Sequence, residues 1–320
     1  MLGLKEQLAS TGKRGPLILQ AVTSASDLAS IISEHRHTVE EKLTEHGALI
    51  FRGFDVLSVD KFDPVVDAIS TRRIEYVYRS TPRKSLGRNI LTATEFPAAL
   101  EIPMHSENSY QDSWPLKIVF SCLIPASSGG ETPVADLRRV THNIGQTLLD
   151  EFESRRIKYI RHYRTHFDLA WQTVFQTDSP EEVAKFCGLH NIHHEWIDQE
   201  TLRTTQVCQG TARHPVTDDR IVFNQAHLFH VSSLGDSHAK SLVDVFGADR
   251  LPRHACFGDD GEISAQKLDL VRSAFQAEAI DVRWQAGDVL LIDNMQFAHG
   301  RRSYQGARKI AAALLDSHQA

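Results

Sequence analysis

Stretches that read as covered strands alternate along the chain with stretches at helical spacing. "ALIFRGF", "LKIVFSCLI", "VLLIDN" and "RKIAAALLD" are short, continuous apolar runs, the pattern of buried strands. "DVRWQ" and "RIVFNQAHLF" extend the β reading, and "ILTATEFP" resembles a more polar strand. Over residues 26–46, Leu28, Ile31, Ile32, Val39 and Leu43 fall close to helical spacing, and Gly47 follows as a stop. A second helix is predicted from Ser179, a capping residue followed by Pro180 in the first helical position and Glu182 three residues past the cap, and it ends at Gly188. Residues 264–278 read as a third helix, and "RHYRTHFDLAWQTVF" also has a helical pattern. "STPRKSLGRN" and "PASSGGETPVAD" are rich in turn formers and read as loops.

No Pro/Ser/Gly linker divides these elements. The expected organisation is therefore one domain over residues 1–320, mainly β with α, its β framework interrupted by a mostly helical insert at about residues 140–210.

Composition narrows the class. With 320 residues, 41% hydrophobic and 24% charged, the chain can bury a large core and is not a disordered tail. The net charge of −6 and the scattered basic residues argue against a nucleic-acid partner. Cys122, Cys187, Cys208 and Cys256 are far apart, which fits packing thiols in a reducing compartment better than a disulfide framework. The opening "MLGLKEQLASTGKRGP" lacks a signal-peptide pattern, and no apolar run approaches the roughly 20 residues of a membrane span. A cytoplasmic location without a membrane partner is expected. Oligomeric state stays open.

Candidate chemistry begins at "IPMHSENSYQDSWP". Given 17 His and 41 Asp plus Glu, roughly two His-x-acid pairs are expected by chance, and the chain has His105/Glu107, His166/Asp168 and His193/Glu195. On a strand, residues two apart face one side, so His105 and Glu107 can aim at one cavity. The pair at 166 and 168 lies in the helical-looking stretch, where such spacing diverges, and "NIHHEW" has no companion loop. The best third ligand is His299 in "LLIDNMQFAHGRR", just past a buried strand where a loop can turn back into a barrel mouth. Two imidazoles and one carboxylate leave open positions on a metal, as in non-haem Fe(II) oxygenases. His227 and His230 in "HLFH" read as core or pocket histidines.

Six segments carry a resemblance: "LIFRGFD", "TATEFP", "MHSENSYQDSWPLKIVFSC", "SGGETPVAD", "FNQAHLFH" and "GDVLLIDNMQFAHGRR". Over about residues 48–140 and 210–312 the chain resembles the taurine-dioxygenase and clavaminate-synthase superfamily of Fe(II)/2-oxoglutarate oxygenases. Within it, the chain looks most like the syringomycin-type hydroxylases that act on amino acids in nonribosomal peptide synthesis. The resemblance implies a double-stranded β-helix, or jelly roll, with flanking helices. It implies His105, Glu107 and His299 as iron ligands, and Thr132 and an arginine after the last histidine as the grip on the distal carboxylate of 2-oxoglutarate. Arg308, nine residues past His299, is the nearest match, with Lys309, Arg301 and Arg302 as alternatives.

Two departures inform the expected reaction. "IAAALLDSHQA" lacks the arginine that meets a sulfonate in taurine dioxygenase, which disfavours taurine, and Glu107 stands where related halogenases carry a small residue, which favours hydroxylation. The expected activity is hydroxylation of an unactivated C–H bond in an amino acid or derivative, free or on a peptidyl carrier protein, with Fe(II), 2-oxoglutarate and O₂ consumed to give succinate and CO₂. The same oxidant would also support desaturation or cyclisation. Readings of another class are a cupin-like metal hydrolase or isomerase and a non-catalytic binding module. Candidate substrate contacts are Asn108, Ser109 and Tyr110 beside the iron motif, and Asn224, Gln225 and His227. Arg79, Arg83 and Arg88 are candidates for an acidic group, although surface solvation is the expected role of at least two of them.

Overall fold

The structure, a computed structural model, describes every residue except 1, 11, 24, 25, 95, 165, 166 and 199. His166, one of the weighed histidines, lies outside the described residues. The centre is a jelly-roll core of two sheets. The large sheet has eight strands, in the order Lys5–Leu8, Leu17–Gln20, Ala48–Arg52, Val289–Asp293, Ser113–Ile124, Lys309–Gln319, Ile90–Thr92 and Ser85–Gly87. The small sheet has four, in the order Ile280–Val282, Thr132–Asp136, Phe297–Arg301 and Ile102–His105.

The continuous apolar runs follow from covering the large sheet on both faces. Ala48, Ile50, Ile118, Phe120, Leu290, Ile292, Ile310 and Ala312 point one way and pack with Val134, Val282 and Phe297 of the small sheet. The alternate residues Leu49, Phe51, Val119, Val289, Leu291, Ala311 and Ala313 point the other way, against N-terminal helices. Period-two alternation is present but hidden, because both faces are apolar.

The helix predicted over residues 26–46 is two helices, Leu28–Glu34 and Arg36–His46, broken at His35; the bend brings Leu28, Ile32, Val39 and Leu43 all onto the large sheet. Gly47 ends the second helix in the left-handed conformation, as its position suggested. The helices Pro180–Leu189 and Ala265–Glu278 form with Ser179 and Ser264 as side-chain caps.

Several expectations need correction. The segment at 140–210 is not mostly helical: beside four helices, which begin at Leu137 and end at Leu189, it supplies the strands Ile157–Tyr163, His193–Trp196 and Leu202–Cys208 of a second antiparallel sheet, completed by Arg253–Phe257. The first three residues of "RHYRTHFDLAWQTVF" are the end of the strand Ile157–Tyr163, in which Ile157, Tyr159, Arg161 and Tyr163 are buried together with His162, and only Trp171–Phe175 is helical. "RIVFNQAHLF" stops being a strand at Val222, because the Asn224 carboxamide accepts from the Ala226 N–H at 3.0 Å and starts the short helix Ala226–Phe229.

"PASSGGETPVAD" is also more than a loop. Ser128–Gly129 pairs with Tyr304–Gln305, and Thr132–Asp136 is a strand of the small sheet. Gly129 and Gly130 have φ of 68° and 74°, and a Cβ on Gly129 would lie 2.2 Å from the Ser303 carbonyl oxygen. Gly129→Ala should therefore lower stability by roughly 2 kcal/mol in urea unfolding. Gly12→Ala, at a position with nothing within 4 Å and no positive φ, should leave the midpoint unchanged.

Candidate metal centre

His105 is the last residue of its strand, and His299 lies directly opposite it in the neighbouring antiparallel strand. Their ring centroids are 4.7 Å apart, the separation of a cross-strand pair, and Phe120 of the large sheet closes against His299 at 5.2 Å. His299 is thus a strand residue inside Phe297–Arg301, not part of a returning loop. Glu107 also arrives differently from the expectation. The strand ends at His105, so strand alternation does not place Glu107; the turn over residues 106–111 does, helped by left-handed Asn108 at φ 57°.

Asn294 holds that turn. Its side-chain oxygen accepts from the Glu107 N–H at 2.8 Å, and its Nδ2 donates to the Glu107 carbonyl at 3.0 Å and to the Pro115 carbonyl at 2.8 Å. The carboxamide acts as a one-residue strand partner. Gln225 donates to the Ser106 carbonyl at 2.7 Å, Gln209 to the Ser109 carbonyl at 2.9 Å, and the Tyr110 hydroxyl to the Tyr78 carbonyl at 2.8 Å. Asn294 and Gln209 escaped the sequence reading; the legible signal was a polar amide inside "LLIDNMQF", a position that turned out to be fully buried.

The outcome is a cluster in which one ligand atom from each of His105, Glu107 and His299 lies within 4.8 Å of the others, the only such group of three among the described residues. His299 Nε2 is 3.7 Å from Glu107 Oε2. His105 Nδ1 is 2.9 Å from the Pro103 carbonyl, which takes that N–H and leaves the Nε2 lone pair free. Burial holds His105 below the ordinary imidazole pKa despite the opposing pull of Glu107. Burial, with His105 and Arg83 nearby, holds His299 well below it. Burial thus favours the neutral form of both rings, the form a metal requires. The donor set of two imidazoles and a carboxylate suits ferrous iron.

Arg308 and Thr132 line the narrow cavity that contains His105 and His299. Arg308 Nε donates to the Gly130 carbonyl at 3.1 Å, and burial, reinforced by Arg301, pushes its pKa down to about 10, as expected of a cation short of a counter-ion. Thr132 Oγ1 accepts from Trp284 Nε1 at 3.0 Å, which leaves the hydroxyl hydrogen to be donated elsewhere. Arg308 also faces an open cleft of about 570 Å³ that leads outward past Phe96 and Tyr304. The alternatives are otherwise engaged or outside the cavity. Arg301 donates to the carbonyls of Phe96, Pro97 and Leu100, Arg302 pairs with Asp281 and Glu101, and Lys309 is exposed on the outer cleft.

The remaining candidates separate. Asn224 spends its amide on the Gly210 carbonyl at 2.7 Å, and Gln225 spends its amide on the Ser106 carbonyl. The Ser109 hydroxyl donates to the Ser106 carbonyl, whereas Asn108 Oδ1 is buried with no protein partner among the described residues. His227 Nε2 is 3.0 Å from the Met104 carbonyl and braces the strand that carries His105. Asp168 pairs with Arg253, and His193 and Glu195 are exposed. Among the three basic candidates only Arg88 is a solvated surface charge, paired with Asp63 and Asp67; Arg79 is half-buried on backbone carbonyls and Arg83 is buried against Glu107 at 2.8 Å.

The sequence matches the taurine catabolism dioxygenase TauD, TfdA family over residues 13–314. The chain belongs to that family. It is 38% identical over 299 residues to the dapdiamide synthesis protein DdaC of Enterobacter agglomerans, covering 93% of this chain and 90% of that protein. It is 27% identical over 297 residues to a clavaminate synthase-like protein of Arabidopsis thaliana, covering 88% and 86%. Among solved structures, PvcB from Pseudomonas aeruginosa superposes with a TM-score of 0.56 at 15% identity, covering 94% of this chain and 86% of that one. AAD-2 in complex with Mn(II) and N-oxalylglycine superposes at 0.56 with 11% identity, covering 99% and 98%. At these identities the structural likeness is one of fold. This TauD/TfdA member is an Fe(II)/2-oxoglutarate-dependent oxygenase that uses iron, 2-oxoglutarate and O₂. No helix among its described residues is long and apolar enough to cross a membrane.

Asn294→Ala would strip three buried hydrogen bonds from the turn over residues 106–111 and its flank and leave the Glu107 backbone unpaired. The expected cost is roughly 2–4 kcal/mol in urea unfolding, with Mn(II) binding weakened about ten-fold as the Glu107 carboxylate loosens. Equal Mn(II) affinity in a folded variant would show that the clamp does not position Glu107.

Proposed function

We propose that His105, Glu107 and His299 hold the iron, that Arg308 and Thr132 hold the distal carboxylate of 2-oxoglutarate, and that the reaction is hydroxylation of an unactivated C–H bond in an amino-acid-derived small molecule with release of succinate and CO₂. The observation that carries this reading is the convergence of the three donor atoms within 4.8 Å, with His105 and His299 lining a cavity that Arg308 and Thr132 also line. The name of the relative DdaC, a dapdiamide synthesis protein, supports a place in natural-product biosynthesis, with the amino acid either free or on a peptidyl carrier protein.

Iron and 2-oxoglutarate together supply the O₂-dependent oxidant that removes hydrogen from the substrate. The protein's own part is positioning. The Pro103 carbonyl fixes the His105 tautomer, and Asn294 fixes the backbone of Glu107. The Arg308 guanidinium offers its remaining N–H groups as a planar fork for a carboxylate, and the Trp284 bond to Thr132 leaves the threonine hydroxyl free to donate to the same group. Phe120 and Ile310 of the large sheet form an apolar wall of the cavity and exclude water from the reacting carbon.

Anaerobic addition of Fe(II) and 2-oxoglutarate should give a weak visible charge-transfer band. His105→Ala and Glu107→Ala should abolish it while the far-UV circular dichroism stays unchanged; retention of the band in either variant would refute the ligand set. Arg308→Gln should raise the 2-oxoglutarate concentration needed for half the band by roughly 10–100-fold, the loss of a charge-assisted pair. A screen of amino acids, offered free and as carrier thioesters, should detect a product heavier by one oxygen. A product lighter by two hydrogens would instead identify desaturation or cyclisation.

A further inference from the structure

Arg83 is a second guanidinium on the metal cavity, and its bonding is incomplete. It is 7% exposed, it lines the cavity with His105, His299, Thr132 and Arg308, and its Nη2 donates to Glu107 Oε2 at 2.8 Å. Its Nε and Nη1 are buried with no acceptor among the described residues. Leaving two N–H groups of a buried cation unpaired is costly unless a ligand completes them. The placement is built rather than accidental. The Arg83 guanidinium lies 4.6 Å above the Tyr76 ring, and its loop is tied by Arg253 to the Ser80 carbonyl at 2.7 Å, by Arg161 to the Arg79 carbonyl at 3.0 Å and by Arg79 to the Arg83 carbonyl at 3.2 Å.

The oxygen that Arg83 takes is the one that faces His299 Nε2. Glu107 has a second oxygen and each oxygen a further lone pair, so Arg83 can keep this bond while Glu107 holds a metal. Charge points to an anionic ligand. The residues that line the cavity include Arg83, Arg301 and Arg308 and no carboxylate, and with Glu107 beside Arg83 counted a positive excess remains, which a divalent metal with a doubly negative co-substrate leaves unchanged. The distal carboxylate of the co-substrate has Arg308 and Thr132, and its other end has the metal.

We propose that Arg83 is a substrate-carboxylate receptor: with its Nη2 on Glu107, it takes a carboxylate of the prime substrate through its unpaired N–H groups. The inference rests on the ligand reading above. It makes the substrate an acid with a free carboxylate near the iron, and excludes a neutral amino acid held as a carrier thioester.

The test uses Mn(II)-loaded protein with N-oxalylglycine bound, and reads paramagnetic broadening of the carboxylate signal of isotope-labelled acetate. Wild-type protein should broaden it saturably, and Arg83→Gln should not. Arg83→Lys, which keeps the charge but not the fork, should weaken acetate by about five-fold or more and carries the test if the glutamine variant fails to fold. Absence of saturable broadening in the wild type, or equal broadening in the variants, overturns the proposal. A loss of N-oxalylglycine affinity of about ten-fold in Arg83→Gln would assign the guanidinium to the co-substrate instead. Retention of Mn(II) by His105→Ala would refute the ligand reading itself, separately from Arg83.

Discussion

The pairing of His299 with His105 across two antiparallel strands is the constraint on which the rest of the site depends. A strand presents alternate residues to opposite faces, so a slip of one residue would turn His299 outward and put Ala298 in its place. The register is held by what lies on each face. Phe297 and Val134 fill the space between the two sheets, while Ala298 and Ala135 pack on the other side against the helical cluster that includes Val140 and Phe275. The large residues lie inside and the small ones lie where the helices approach, and the two imidazoles follow from that arrangement. Gly300 adds to it: a Cβ there would sit 2.6 Å from the Ile102 carbonyl, so the strands could not pair as closely with any other residue.

Polar side chains substitute for backbone partners where the small sheet gives way to the turn that carries Glu107. Asn294, Gln225 and Gln209 each supply a buried amide to a carbonyl of residues 106–109. A turn in the interior has no water to satisfy its backbone, so these amides are required by the burial itself. Their fixed positions are also what makes the Glu107 carboxylate precise. The same physics accounts for Asn224 and His227, which bond to backbone and carry the motif rather than facing a ligand with their donors.

Electrostatics and the second sheet are connected through one loop. The strands Ile157–Tyr163 and Arg253–Phe257 send Arg161 and Arg253 to carbonyls of the loop at residues 79–80, and that loop delivers Arg83 to Glu107. The insert therefore reaches the candidate metal centre through backbone carbonyls of that loop. Its buried guanidinium of Arg161 rests on the rings of Tyr163 and Tyr78, 4.7 and 5.3 Å away, which makes an otherwise expensive buried charge tolerable.

Local chemistry was readable without the fold. The apolar runs "ALIF", "VLLI" and "IAAALL" are strands, Gly47 and Ser179 mark helix ends, and the run of motifs from "MHSENSY" to "FAHGRR" identifies the family, because each depends on neighbours in the chain. Long-range pairing decided the remainder. The sequence cannot state that residue 299 faces residue 105, that Asn294 clamps Glu107, or that Arg301 is spent on three carbonyls while Arg308 lines the cavity. Arg83 was one basic residue in a turn-rich stretch, with nothing nearby to distinguish it from the solvated Arg88. Burial and partners are properties of surfaces that meet only after the sheets close, and a buried charge gains its meaning from the group across the cavity rather than from the residues beside it in the chain.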